Sequence, residues 1–275
     1  MANFIKLNYR NFIAAATVTV VVAVTVLYFS YTIGKNELFL LLNNDLGWWG
    51  DFFFDYATHA GDGLLWIVWL VVLFRTKRKY LFPLLISAFL FSTIFTQVGK
   101  QLVYPDELRP SEALKLEVLG TQLHDEVKSI NGVEVDTNQD VFRQINKHKV
   151  GDDLVIAYTR AGKPDTIYKK LAWDTQLHLV DAVTVHTFSS FPSGHTATAF
   201  TFAFLICLIT PSMALSLLCL LAAFIVGYTR IYLGQHYPLD VGAGMLVAVI
   251  ATCCSIPIQQ WFYKRKKRKA QADLQ

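Results

Sequence analysis

The sequence predicts an all-α membrane protein, a six-transmembrane-helix bundle with a small α+β extracytoplasmic insert between the third and fourth helices. Three observations carry this reading. The 275-residue chain is 53% hydrophobic, and its apolar residues are bunched into long runs rather than dispersed as in one soluble core. Residues 111–179 break that pattern with the composition of a soluble domain. Basic clusters recur at the ends of alternate runs. The net charge of +4 is densest in residues 264–269, just past an apolar run, which marks a membrane-flanking tail and not a nucleic-acid footprint. No nucleic-acid partner is expected; the bilayer is.

Residues 12–33 are apolar and long enough for the first span. The run exceeds a signal-peptide core and lacks a clear cleavage site, so it is expected to remain as an anchor. Residues 34–50 hold an apolar patch with polar flanks, then Trp48 and Trp49, the pattern of an amphipathic piece at the interface. Residues 51–74 form the second span. Its first half carries Asp55, Thr58, His59 and Asp62, and must face protein or water. Residues 81–103 form the third span, with Lys100 in its last turn and Pro105 as a stop.

In the polar segment, residues 127–130 read as a strand, Asn131-Gly132 as a tight hairpin turn and 133–135 as its return. Thr137 and Asp140 have capping-box spacing ahead of a helix ending near Lys147. Residues 154–160 and 166–171 read as two more strands around a turn at 161–164. Residues 125–135, the following helix, Val150-Gly151-Asp152-Asp153 and Arg160-Ala161-Gly162-Lys163 resemble the C-terminal half of a PDZ domain. The N-terminal half of such a domain has little room between Arg109 and Leu123. Two roles therefore stay open: a structural cap over the site, or a module for a protein or peptide partner.

Three spans follow, at 193–210, 211–233 and 239–262, the first two joined by a minimal turn at Thr210-Pro211-Ser212. The expected organisation is a transmembrane core at 1–110, the insert at 111–179, the rest of the core at 180–263 and a basic cytoplasmic tail at 264–275. Lys6, Arg10, the basic stretch 75–79 and the tail fall on one side of such a bundle, opposite Lys35. The positive-inside rule then puts both termini in the cytoplasm. Cys207, Cys219, Cys253 and Cys254 lie in apolar runs without ligand spacing and read as small buried hydrophobes, with no metal cluster or disulfide framework.

The chemistry centres on Phe191-Pro192-Ser193-Gly194-His195-Thr196, where a polar segment gives way to an apolar helix. Pro192 presets φ, Ser193 can cap the helix, and Gly194 leaves the backbone open to close approach. The free N–H groups and positive dipole end suit an anion such as phosphate. An ionisable His195 at the mouth of a hydrophobic helix is costly unless it is used. Downstream lie Thr229-Arg230, His236 and Asp240; upstream lie Lys100 and Arg109-Pro110. In a six-span bundle all of these emerge on the external face. The two arginines offer planar forks for phosphate oxygens and Lys100 a point charge. Charge logic alone does not decide which histidine does which job.

These three motifs closely resemble the signatures of the type 2 phosphatidic acid phosphatase superfamily, membrane lipid phosphate phosphatases related to the vanadium haloperoxidases. The resemblance implies His236 as nucleophile, forming a phosphohistidine, with Asp240 orienting its ring and His195 as general acid. It implies Lys100, Arg109, Ser193, Gly194 and Arg230 as phosphate-binding residues, and no cofactor or metal. The implied substrate is a lipid phosphate monoester or pyrophosphate: undecaprenyl pyrophosphate, phosphatidylglycerophosphate, phosphatidate or lipid A phosphate. The implied location is a bacterial inner membrane with the site on the periplasmic or outer face. A lipid-to-lipid phosphotransferase is an alternative, as is a membrane-anchored binding protein with an inactive core. The sequence departs from the family's pattern twice. The Lys100–Arg109 spacing is longer than usual, and Thr229 stands where serine is usual, with the hydroxyl retained. Among the other polar residues, His59 and Asp62 read as a structural pair on the catalytic side and His186 as a neighbour of the motif. His124, His148 and His178 read as solvated, and Tyr228 and Tyr232 as interfacial aromatics.

Overall fold

The computed structural model describes residues 7–76, 78–172, 176–181 and 183–272. Lys6 and Lys77, two of the charges used above for orientation, lie outside them. Among the described residues, four helices are long and apolar enough to cross a membrane, spanning Tyr9–Thr32, Lys79–Val103, Met213–Tyr232 and Pro238–Arg268. The first is α1 (Tyr9–Thr32), capped by Asn8, whose side chain accepts from the Asn11 amide. Its 24 residues reach about 36 Å at 1.5 Å per residue. Ile13, Val18, Val21 and Val24 are exposed along it while Asn11 and Thr19 are buried. An apolar outside around polar buried groups is what a hydrocarbon solvent selects.

The helix α2 (Lys35–Leu42) occupies the expected interfacial stretch, with Leu38 and Phe39 turned inward. The expected second rod is not one helix. The structure gives α3 (Gly47–Thr58), a 3-10 turn at His59–Gly61, and α4 (Leu64–Arg75). Each helix has 12 residues, about 18 Å, too short to cross a bilayer alone. The break falls at the polar cluster His59–Asp62, where a continuous apolar helix would have had to bury charge. The third rod is α5 (Phe82–Val98), prolonged by a π-helical turn at Gly99–Val103. Gln259 secures its start by accepting from the Leu84 amide (3.0 Å) and donating to the Tyr80 carbonyl (2.9 Å).

Next come α6 (Pro110–Leu119), β1 (Glu126–Ile130), β2 (Val133–Glu134), α7 (Asn138–Ile145), β3 (Asp153–Arg160) and β4 (Lys163–Lys170). The strands form one antiparallel sheet in the order β2-β1-β3-β4. The Asn131-Gly132 turn carries the two positive φ angles that a two-residue hairpin requires, and the Thr137–Asp140 capping box is present. Residues 111–123 carry no expected element. The structure forms α6 there, with Pro110 in its first turn, Glu112 beside it and Gly120 in left-handed conformation as its stop. Leu114, Val118 and Leu119 pack into the core that also holds Ile130, Phe142, Ile145, Leu154 and Ile156.

Asp125 secures the start of this sheet. Its side chain is buried and receives two bonds from Arg160, at 2.8 and 2.6 Å, and one from the Gln122 amide at 2.7 Å. The guanidinium bonds hold the Asp125 pKa below its ordinary value. A depressed carboxylate stabilises the fold above its unfolded pKa of about 3.9, and that stabilisation is lost as pH falls through the lower folded value. Protection of the β1 and β3 amides, measured against the intrinsic exchange rate at each pH, should therefore fall below about pH 4. Asp125→Asn should show the lower protection already at neutral pH.

The last three helices are α8 (Gly194–Ile209), α9 (Met213–Tyr232) and α10 (Pro238–Ala272). Most of α8 is buried, and it packs against α1, α5, α9 and α10, so it is the axis of the bundle. The α8–α9 turn is tied to the start of α1: Asn8 donates to the Thr210 carbonyl (3.0 Å) and Asn11 to the Ser216 hydroxyl (3.1 Å). The cysteines differ from expectation. Cys207 is buried, Cys219 and Cys254 are half-buried, and Cys253 is exposed, because a helix facing lipid needs no protein cover.

Candidate active site

The N-terminus of α8 sets the frame. The Ser193 hydroxyl accepts from the Thr196 amide (3.5 Å) and from the Thr196 hydroxyl (2.9 Å). Its amide donates to the Asp240 carbonyl (3.0 Å), which locks the starts of α8 and α10 together. Gly244 makes that crossing possible, since a Cβ there would lie 2.6 Å from the Ser193 carbonyl oxygen. Gly244→Ala should force the two helix starts apart. A cost of about 1–3 kcal/mol is expected, read as a lower midpoint in thermal unfolding, together with reduced activity.

The cations reach this frame from three elements. Lys100, on the π turn after α5, donates to the Ser189 carbonyl (2.8 Å). Arg109 precedes α6; its amide donates to the Thr187 carbonyl (2.9 Å) and its Nε to the Phe188 carbonyl (3.0 Å). Its Nη1 bonds the Gln235 side chain. The long Lys100–Arg109 spacing thus closes as a loop that returns Arg109 to the segment before α8. Burial lowers the Arg109 pKa from its ordinary value. Arg230, in the last turn of α9, is 6% exposed and donates from Nη1 to the Thr58 hydroxyl, while its buried Nε has no partner among the described residues. An unpaired buried guanidinium N–H is costly and is satisfied by an incoming acceptor.

His236 lies in the turn between α9 and α10, 2% exposed, its amide bonded to the Arg230 carbonyl (3.0 Å). Burial first, then the Arg109 and Arg230 charges, hold its pKa well below the ordinary histidine value. The imidazole is therefore neutral at pH 7, the form with a free lone pair. Its Nδ1 stands 3.5 Å from the Asp240 carboxylate and makes no hydrogen bond among the described residues. The near oxygen of Asp240 is taken by the Ser190 hydroxyl and by the Tyr237 amide (2.9 Å). The expected orienting bond between His236 and Asp240 is thus an approach rather than a closed contact.

A cavity of about 350 Å³ collects Lys100, Arg109, Gly194, His195, Arg230 and His236 on one wall system. Ser193 and Asp240 do not line it; both are occupied in fastening the two helix starts. The cavity also takes in Thr58, His59 and Asp62 from the break between α3 and α4, and His186 and Gln235 from the loops. Of these, Thr58 and Gln235 had no signal in the sequence beyond their polarity, because only the fold shows that they hold Arg230 and Arg109. His59 and Asp62 pair as expected (2.8 Å), and Asp62 also reaches His195 Nε2 at 2.8 Å.

Three expectations are corrected. His178 is not solvated: its Nε2 bonds Asp51 (2.8 Å), and its amide donates to the Asn43 side chain (2.8 Å). Tyr232 is buried rather than interfacial, donating to Asp51 (2.7 Å), and Tyr228 is half-buried, donating to the Leu42 carbonyl (3.0 Å). The absence of metal-ligand spacing in the sequence also needs qualification. Asp45, Asp51 and His178 converge with ligand atoms within 4.8 Å of one another. They lie outside the cavity, and the His178 and Tyr232 bonds already engage Asp51.

The family model described as the PAP2 superfamily matches residues 149–265, which include His195, Arg230, His236 and Asp240. The chain is 48% identical over 63 residues to the bacitracin transport permease protein BcrC of Bacillus licheniformis. It is 50% identical over 58 residues to a lipid A 4'-phosphatase of Bacteroides thetaiotaomicron. These matches cover 23% and 21% of the chain, and only 30% and 25% of the relatives' own lengths. The crystal structure of Aquifex aeolicus LpxE superposes with a TM-score of 0.50 at 24% identity, covering 80% of this chain and 93% of that one, a likeness of fold. The chain is thus similar to the PAP2 superfamily over the segment that holds both histidines, Arg230 and Asp240, and similar in fold to LpxE over most of its length.

Proposed function

We propose that this protein is a membrane lipid phosphatase that hydrolyses a lipid phosphate monoester or pyrophosphate through a phosphohistidine. The observation that carries the reading is the meeting of two imidazoles with Lys100, Arg109 and Arg230 around one cavity at the helix ends. Phosphoryl transfer is mostly positioning and charge stabilisation, and the three cations supply it. His236 attacks phosphorus, the bond to the leaving oxygen breaks, and His195 protonates that oxygen. Water then attacks the phosphohistidine with His195 as base, and inorganic phosphate leaves. Asp240 steadies the imidazolium character that develops on His236.

In this reading α3 and α4 together make one crossing, which brings the total to six. Both termini are cytoplasmic and the cavity opens on the periplasmic or outer face of a bacterial inner membrane. Residues 1–110 and 180–263 form the core, 111–179 the extracytoplasmic insert and 264–275 the basic tail. The insert caps the site; its PDZ-like strand pattern keeps a peptide partner as the second reading.

The experiment is phosphate release by the purified protein in detergent from a panel of undecaprenyl pyrophosphate, phosphatidylglycerophosphate, phosphatidate and lipid A phosphate. The lipid A 4'-phosphatase among the relatives makes lipid A phosphate an informative member of the panel. Vanadate should block turnover, and chelators should leave it unchanged. Reversible loss of turnover on chelation would refute the metal-independent mechanism. Label passing to a second lipid, with no free phosphate, would make the protein a phosphotransferase.

A further inference from the structure

We infer that Asp62 is a positioning residue for His195, fixing that imidazole for proton transfer to the leaving group. The inference rests on the phosphatase reading above. Asp62 follows the 3-10 turn His59–Gly61 in extended conformation, with φ −73° and ψ 154°. Its two oxygens meet two imidazoles: Oδ1 lies 2.8 Å from His195 Nε2, and Oδ2 lies 2.8 Å from His59 Nδ1. The turn fits against α8 because residue 61 is glycine. A Cβ there would stand 3.0 Å from the Cβ of His195 and 2.9 Å from Val226 Cγ1. The apolar run is therefore broken where a carboxylate meets the ring, and its glycine is required by the ring's closeness.

The need for such a carboxylate is electrostatic. His195 shares its cavity with Lys100, Arg109 and Arg230, whose charges oppose an imidazolium. A general acid must nevertheless hold a proton to give. A carboxylate on Nε2 favours the protonated ring and fixes its orientation, leaving Nδ1 as the nitrogen that gives. As a His236 nitrogen bonds to phosphorus, the bond from phosphorus to the leaving oxygen breaks. The electron pair stays on that oxygen, which takes the His195 proton. When water attacks, the nitrogen–phosphorus bond breaks, its electron pair returns to His236, and His195 takes a proton from the water. Asp62 remains a carboxylate throughout. His59 holds its second oxygen.

The test compares two substrates of the full-length protein: an alkyl lipid phosphate, whose leaving group needs a proton, and a nitrophenyl phosphate, whose leaving group does not. Asp62→Asn should lower kcat on the lipid phosphate by roughly 10²-fold or more, with KM changed only a few-fold. On the aryl phosphate its kcat should fall less than about tenfold. In a His195→Gln background the same substitution should add little, as coupled residues do. Asp62→Glu should recover part of the lost rate, and it carries the same comparison if the asparagine variant does not fold. Equal loss on both substrates, or full loss added to His195→Gln, overturns the inference alone. No phosphate release from either substrate by the unsubstituted protein overturns the phosphatase reading and the inference with it.

Discussion

His236→Ala should abolish phosphate release while the protein still purifies as a folded helical bundle. The imidazole is buried and ringed by cations, which hold it in the neutral form whose free lone pair can attack phosphorus. Losing the nucleophile of a covalent mechanism typically costs on the order of 10⁴-fold or more in kcat. The structural cost is smaller, because among the described residues the Nδ1 has no hydrogen-bond partner to strand, and the turn is held by backbone bonds. Measured together, phosphate release, acid-labile labelling from a radioactive substrate and gel filtration decide the matter. Trapped label in the variant, or turnover within tenfold of the unsubstituted protein, would remove His236 from the mechanism.

Arg230→Lys should lower kcat by about 10²–10³-fold, the usual effect of removing one preorganised donor from a developing oxyanion. Arginine presents a planar fork; here one nitrogen holds Thr58 on α3 and the buried Nε has no partner among the described residues. Lysine keeps the charge but cannot bond Thr58 and two phosphate oxygens together. Vanadate should bind the variant more weakly in parallel with the loss of kcat, since both report the same oxygen contacts. A variant with unchanged vanadate inhibition would show that Arg230 supports the α3–α9 contact and not the anion.

The motifs were legible because ionisable residues in apolar runs are expensive and therefore informative. Lys100, Arg109, His195, Arg230 and His236 all line one cavity. The elements of the insert were legible too: the Asn131-Gly132 turn and the Thr137–Asp140 capping box are local signals, satisfied within a few residues. The helix α6 carries equally local signals, Pro110 at its start and Gly120 at its stop.

Hydropathy and residue type by themselves determined the membrane-spanning character and the strand pairs of the insert, while the cations and imidazoles were singled out by the resemblance of three short motifs to a known family. The first two follow from a short-range rule, the period of apolar residues. Only the tertiary structure decided that the second apolar run breaks at His59–Gly61, that Asp62 meets His195, and that Ser193 and Asp240 fasten helix starts instead of lining the cavity. It also decided that His178 and Tyr232 are held at Asp51. Those outcomes depend on partners far away in the chain. A polar side chain in a sequence announces that it needs a hydrogen bond, and the fold alone supplies the group that satisfies it.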